Sequence, residues 1–127
     1  MAKQPAISDA EWTVMRVLWL AGKPLTAAET VERLAYERPW SPITVRTMLG
    51  RLVRKGALKY ETEGNRYLYR PAVSMEQCLK AESRSFVDRV FGGAAGAMLN
   101  YFVRNTRLSQ REIEQLKRSL EAKEKRT

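Results

Sequence analysis

The sequence predicts a mainly α-helical chain with one small β-hairpin, and three observations carry that reading. Four stretches, Ser8-Asp9-Ala10-Glu11, Thr26-Ala27-Ala28-Glu29, Ser74-Met75-Glu76-Gln77 and Ser109-Gln110-Arg111-Glu112, fit the S/T-x-x-E/Q box. In that box a hydroxyl and a carboxylate or amide satisfy the orphaned N–H groups of a helix start. Apolar residues after these starts recur at helical spacing. Beyond Gly56 the apolar period switches from helical to alternating. With 127 residues, 44% hydrophobic and 29% charged, the chain suits one ordinary domain plus an appended element and is too apolar to stay disordered.

The first helix, about 8 to 21, is apolar on two sides, with Trp12, Met15 and Trp19 on one stripe and Val14, Val17 and Leu18 on another, so it belongs at the centre of the core. A second, about 26 to 37, is expected to bury Ala27, Val31, Leu34 and Ala35. A third, about 41 to 55, starts at Ser41-Pro42, an N-cap with proline at the first helical position, and buries Val45, Leu49 and Leu52. Gly22 and Gly56 are placed as helix stops. Then Leu58, Tyr60 and Thr62 alternate with Lys59, Glu61 and Glu63, and Tyr67 and Tyr69 with Leu68 and Arg70, which makes a hairpin around Gly64-Asn65. Helices of about 74 to 91, 94 to 104 and 109 to 124 follow, with Leu79, Phe86, Val87 and Val90 inward on the first of them, Gly92-Gly93 as a hinge and a charged, frayed tail from Glu121.

The expected organisation is therefore two regions, 1–73 and 74–127. The stripes of the second, with Phe86 and Val90, with Met98, Tyr101 and Phe102, and with Ile113, Leu116 and Leu120, are too narrow for a core of their own. They either pack back on the first region or form a dimerisation arm.

Lys and Arg outnumber Asp and Glu by 23 to 14, and the net charge of +9 points to an anionic partner, with nucleic acid first. The sequence has no His and one Cys, Cys78, which leaves no internal disulfide and no Cys/His metal site; Cys78 reads as a small buried apolar residue. No nucleophile with a base, no metal cluster and no Gly-rich phosphate loop suggests an enzyme, and no metal or cofactor is expected. The opening, Met1 to Pro5, is polar, and no stretch reaches the ~18 apolar residues of a membrane span, so a cytoplasmic protein with no stable membrane association is expected.

Three helices followed by a hairpin is the order of a winged helix-turn-helix, in which the third helix enters the DNA major groove and the hairpin lies along the backbone. From Ser41 to Lys59 there are five basic residues, Arg46, Arg51, Arg54, Lys55 and Lys59, and no acidic one, whereas a merely solvated face mixes signs. Ile43, Arg46, Thr47, Gly50, Arg51 and Arg54 share the side opposite Val45, Leu49 and Leu52. Arginine can read guanine in bidentate fashion, and threonine offers a hydroxyl and a methyl; lysine, here Lys55, suits phosphate better. Ile43 can meet a thymine methyl, although single exposed apolar residues are common. Thr44 joins these candidates in the first turn, and Asn65 and Arg66 at the hairpin tip are candidate phosphate contacts that Glu61 and Glu63 oppose.

The chain resembles the penicillinase repressors of the BlaI/MecI type over essentially its whole length. The resemblance lies in residues 8–19, in Leu25-Thr26-Ala27-Ala28-Glu29, in residues 40–49, in Arg51-Leu52-Val53-Arg54-Lys55-Gly56, and in Gly64, Tyr67, Leu68 and Tyr69-Arg70-Pro71. It implies a homodimeric winged-helix repressor that binds a double-stranded DNA operator with dyad symmetry through two heads joined by the C-terminal helices. It also implies derepression by cleavage in the dimerisation region, triggered by a membrane sensor protease, with a β-lactam response as the family's inducing signal. Two departures stand out: Gly50 where the family has a larger polar residue, and Leu99-Asn100-Tyr101-Phe102 where the family has a cleaved Asn-Phe junction. Asn100, Tyr101 and Phe102 are the candidate cleavage region. The paired C-x-C motifs of copper-responsive relatives are absent. The rival reading is a winged-helix module whose basic face docks on RNA or on an acidic protein partner.

Overall fold

A computed structural model describes residues 5–126; Met1 to Gln4 of the polar opening, and Thr127, lie outside them. The elements are α1 (Asp9–Ala21), α2 (Ala27–Leu34), α3 (Pro42–Arg54), β1 (Leu58–Glu63), β2 (Arg66–Pro71), α4 (Met75–Phe91), α5 (Ala95–Asn105) and α6 (Gln110–Arg126). All four boxes close reciprocally: Ser8 with Glu11 and Thr26 with Glu29 cap α1 and α2, and Ser74 with Gln77 and Ser109 with Glu112 do the same for α4 and α6. The Ser41 hydroxyl accepts from the Thr44 N–H at 3.2 Å to start α3. Gly22 at φ 65° ends α1 in a conformation that costs glycine little.

The chain forms two compact units, one ending at Ser83 and one beginning at Arg84, with α4 crossing the division. In the first unit, Val14, Met15 and Leu18 of α1, Leu34 of α2, and Val45, Met48, Leu49 and Leu52 of α3 are buried with Leu25, Ala57, Leu58 and Tyr69. β1 and β2 pair antiparallel from Leu58↔Pro71 to Glu63↔Arg66, leaving Gly64-Asn65 as a two-residue loop whose first residue is left-handed. That glycine-first arrangement is the one a II′ hairpin turn uses. The hairpin is fastened to the helices by the Leu25↔Tyr69 bridge, with N···O distances of 3.0 and 2.8 Å.

Several expectations are corrected. α2 stops at Leu34, not near 37, and Ala35 is exposed: the Glu37 and Arg38 N–H groups both turn back on the Leu34 carbonyl, and Pro39 disfavours helix at the residue before it. Leu79 and Val90, expected inward, are 48% and 57% exposed because no described residue of their own unit packs over them, and the buried residues of α4 are Cys78 and Val87. The last helix runs to Arg126, two residues beyond the expected end near 124.

In the second unit the rings of Phe86, Phe91, Tyr101 and Phe102 gather. Phe86 stacks on Phe102 at 6.1 Å, and Phe91 lies 6.4 Å from both Tyr101 and Phe102. Ring pairs at such spacings are favourable beyond their area burial. Gly92 and Gly93 take φ 56° and 89°, so the turn between α4 and α5 rests on two left-handed residues in a row.

Candidate nucleic-acid interface

α3 presents two faces. Val45, Leu49 and Leu52 are fully buried, and Ile43, Thr44, Arg46, Thr47, Arg51 and Arg54 are exposed. Ile43, at 76% exposure, sits in the first turn with no packing role. The Thr47 hydroxyl donates to the Ile43 carbonyl at 2.9 Å. What Thr47 can offer a ligand is therefore its methyl group and an acceptor lone pair. Thr44 and Ser41 share a hydroxyl pair at 3.0 Å at the helix start.

Gly50 is half-buried on this face, and a Cβ there would meet only Arg54 Nη1, at 3.6 Å. No close approach or left-handed backbone requires glycine at that position.

An open groove of about 580 Å³ runs between α3 and the hairpin, lined by Thr26, Ala27, Ala28, Arg46, Asn65, Arg66, Tyr67 and Tyr69. Arg46, Asn65 and Arg66 thus converge on one concavity that has no acidic residue in its lining. The register puts Tyr60 and Thr62 opposite Tyr69 and Tyr67, and three tyrosine rings cluster on that face at tilted angles, Tyr60 lying 4.5 Å from Tyr67 and 6.1 Å from Tyr69. Burial, and then the neighbouring Tyr67 and Tyr60, push the Tyr69 hydroxyl above its usual range, against the pull of the Arg46 charge. Arg66 lies 3.8 Å from Glu63 in an exposed pair, which weakens but does not cancel its attraction for an anion.

Lys55 is placed differently from the other candidates. Its ammonium donates to Glu11 Oε1 and, at 2.9 Å, to the Ala6 carbonyl. Glu11 is 2% exposed, the most deeply buried acidic group among the described residues. Burial pushes its carboxyl up, but hydrogen bonds from Lys55 and Ser8 and the Lys55 charge outweigh that and hold it below the ordinary 4.5. Sequence reasoning assigned Glu11 to its capping box and missed the pair; the only signal was an unopposed lysine at the end of a basic helix.

In the second unit Asn100, Tyr101 and Phe102 lie inside α5, and the carbonyls of Tyr101 and Phe102 are occupied, by Asn105 Nδ2 at 2.8 Å and by the Thr106 N–H at 2.9 Å. Tyr101, Phe102, Leu116 and Leu120 are 40 to 62% exposed, and Met98 and Ile113 half-buried.

A sequence profile of the penicillinase repressors matches residues 7–122. The chain belongs to the penicillinase repressor family. The penicillinase repressor of Bacillus licheniformis is 38% identical over 121 residues, 95% of this chain and 94% of that protein. The methicillin resistance regulatory protein MecI of Mammaliicoccus sciuri is 33% identical over 117 residues, 92% and 94% of the two chains. The solution structure of monomeric Bacillus licheniformis BlaI in complex with the blaP half-operator is 41% identical with a TM-score of 0.51, over 60% of this chain and 92% of that one. The winged helix-turn-helix expected from helix order is thus the fold of this penicillinase repressor relative as well. No described helix is long and apolar enough to cross a membrane.

Proposed function

We propose that the chain is a homodimeric transcriptional repressor that reads a dyad-symmetric duplex operator with α3. The observation that carries this is the exposed, acid-free face of α3 set opposite a fully buried one. Arg46, Thr47 and Arg51 with Ile43 meet base edges, Arg54 lies beside them on the same face, and Thr44 meets the backbone at the helix start. Asn65 and Arg66, which line the groove with Arg46, follow the phosphates. The relative solved with a half-operator, at 41% identity, supports duplex DNA over RNA or an acidic protein.

The exposed apolar side chains of the second unit, Val90, Tyr101, Phe102, Leu116 and Leu120, with Phe86, Met98 and Ile113 beside them, would cover one another across a two-fold axis. Two heads joined in this way gain from effective concentration, and a cut at Asn100 to Phe102 removes that gain by about 10²-fold. Because both carbonyls after Asn100 are engaged in α5, the helix opens before a protease can take the strand. The targets are genes of the resistance type, and the cutting enzyme answers to a membrane sensor.

Selection from a random duplex pool tests the reading. A dyad consensus with half-sites about one helical turn apart, or a small multiple of that, is expected. In the selected duplex Arg51→Ala costs about 1 to 3 kcal/mol and relaxes one base position. A pool that yields no consensus, or stronger enrichment of an RNA pool, overturns it.

A further inference from the structure

We propose that Glu11 is a positioning residue for DNA reading, acting through Lys55 to fix the C-terminal turn of α3 against the body of the head. This rests on the proposed role of α3. The Glu11 Oε1 atom accepts from the Ser8 N–H at 3.0 Å and from the Lys55 ammonium, and the same ammonium donates to the Ala6 carbonyl. Two parts of the chain far apart in sequence therefore meet at one buried carboxylate: residues 6–11 around the start of α1, and the end of α3, 44 residues beyond Glu11.

Lys55 is the C-cap of α3, and its own N–H donates to the Arg51 carbonyl at 2.9 Å, so the turn held by the pair is the turn that carries Arg51 and Arg54. An apolar pair of similar volume stabilises a fold as well as a buried ion pair does or better, whereas an ion pair with directional hydrogen bonds specifies one arrangement. An arginine that reads a base edge in bidentate fashion needs that arrangement. The Lys55 side chain is 36% exposed, but its ammonium is turned to Glu11 and the Ala6 carbonyl, so in this arrangement its charge is matched within the head rather than on a phosphate.

The test uses the full chain and the duplex selected by the wild type. Glu11→Gln keeps an acceptor for the Ser8 N–H and loses the charge that holds Lys55; Lys55→Met removes the other partner, and Lys55→Arg restores a cation. Glu11→Gln and Lys55→Met are both expected to lower the preference for the selected duplex over random duplex about tenfold, the scale of one misaligned base contact. The slope of log affinity against log salt stays unchanged, and Lys55→Arg recovers most of the preference. Amide exchange at Lys55 and Gly56 accelerates in both variants by a clearly larger factor than at the amides of α1, whereas a general loss of stability alone speeds the core amides together.

A Lys55→Met variant whose salt slope flattens by about one with its preference intact makes Lys55 a phosphate contact and overturns the proposal. Unchanged preference and unchanged exchange in Glu11→Gln overturn it equally. A wild type without any preference removes the DNA reading itself, and the exchange rates then decide alone whether the pair holds the end of α3.

Discussion

The indole N–H of Trp19 donates to the Val73 carbonyl at 3.0 Å, joining the last turn of the core helix α1 to the exit of the hairpin 54 residues later. Together with the Leu25↔Tyr69 bridge it fastens the later half of β2 and the segment just after it to the helical part of the head. Trp19→Phe keeps an aromatic ring and loses this bond, so a loss of about 1 to 2 kcal/mol is expected, read as a lower urea midpoint at unchanged slope.

Gly50 offers the opposite sign. Its backbone is helical, and the only neighbour a methyl group would meet is a flexible arginine end at 3.6 Å. Gly50→Ala is expected to stabilise the chain by about 0.5 to 1 kcal/mol, the helix propensity that glycine forgoes. Thermal melting of the two proteins checks it, and an unchanged or lower midpoint for Gly50→Ala rejects it.

The buried Glu11 predicts an acid dependence. Its carboxyl lies below 4.5 in the folded chain, so it adds stability at pH values above its unfolded value, and that stability disappears as the pH falls through the folded value. Glu11→Gln should therefore be less stable than wild type at pH 7, with the gap closing as the pH falls below 4.5. Urea midpoints measured from neutral to acid pH reveal whether the two curves converge.

A chain ending at Ser83 keeps the whole first unit, including the first turns of α4 that bury Cys78. It should fold, sediment as a monomer and bind a half-site weakly. Sedimentation as a dimer would move the interface into the head.

Local chemistry explains how much of this was legible in the sequence. Each capping box is decided within four residues, so the helix starts could be read directly, and Val45, Leu49 and Leu52 declare the buried face of α3 by spacing alone. Glu11 could not be read that way, because its box already accounted for it and its second partner stands 44 residues away. Leu25 stands between α1 and α2, and its backbone pairing with Tyr69, 44 residues on, is fixed by the tertiary fold and not by local spacing. For Leu79 and Val90 a helical stripe gives a direction but not a neighbour, and only the folded chain shows that they stay uncovered. The groove needed α2, α3 and the hairpin together, so Tyr67 and Thr26 could not be placed in it from spacing.

The separation of aromatic residues between the two units has a practical result. Trp12, Trp19 and Trp40, all the tryptophans in the chain, precede Ser83, while Phe86, Phe91 and Phe102, all the phenylalanines, follow it. Indole emission therefore watches the head alone. Melting of the arm, or a cut within it, leaves that signal unmoved unless the head responds. Far-ultraviolet circular dichroism records α5 and α6 at the same time, and the difference between the two traces separates an event in the arm from its transmission to the head.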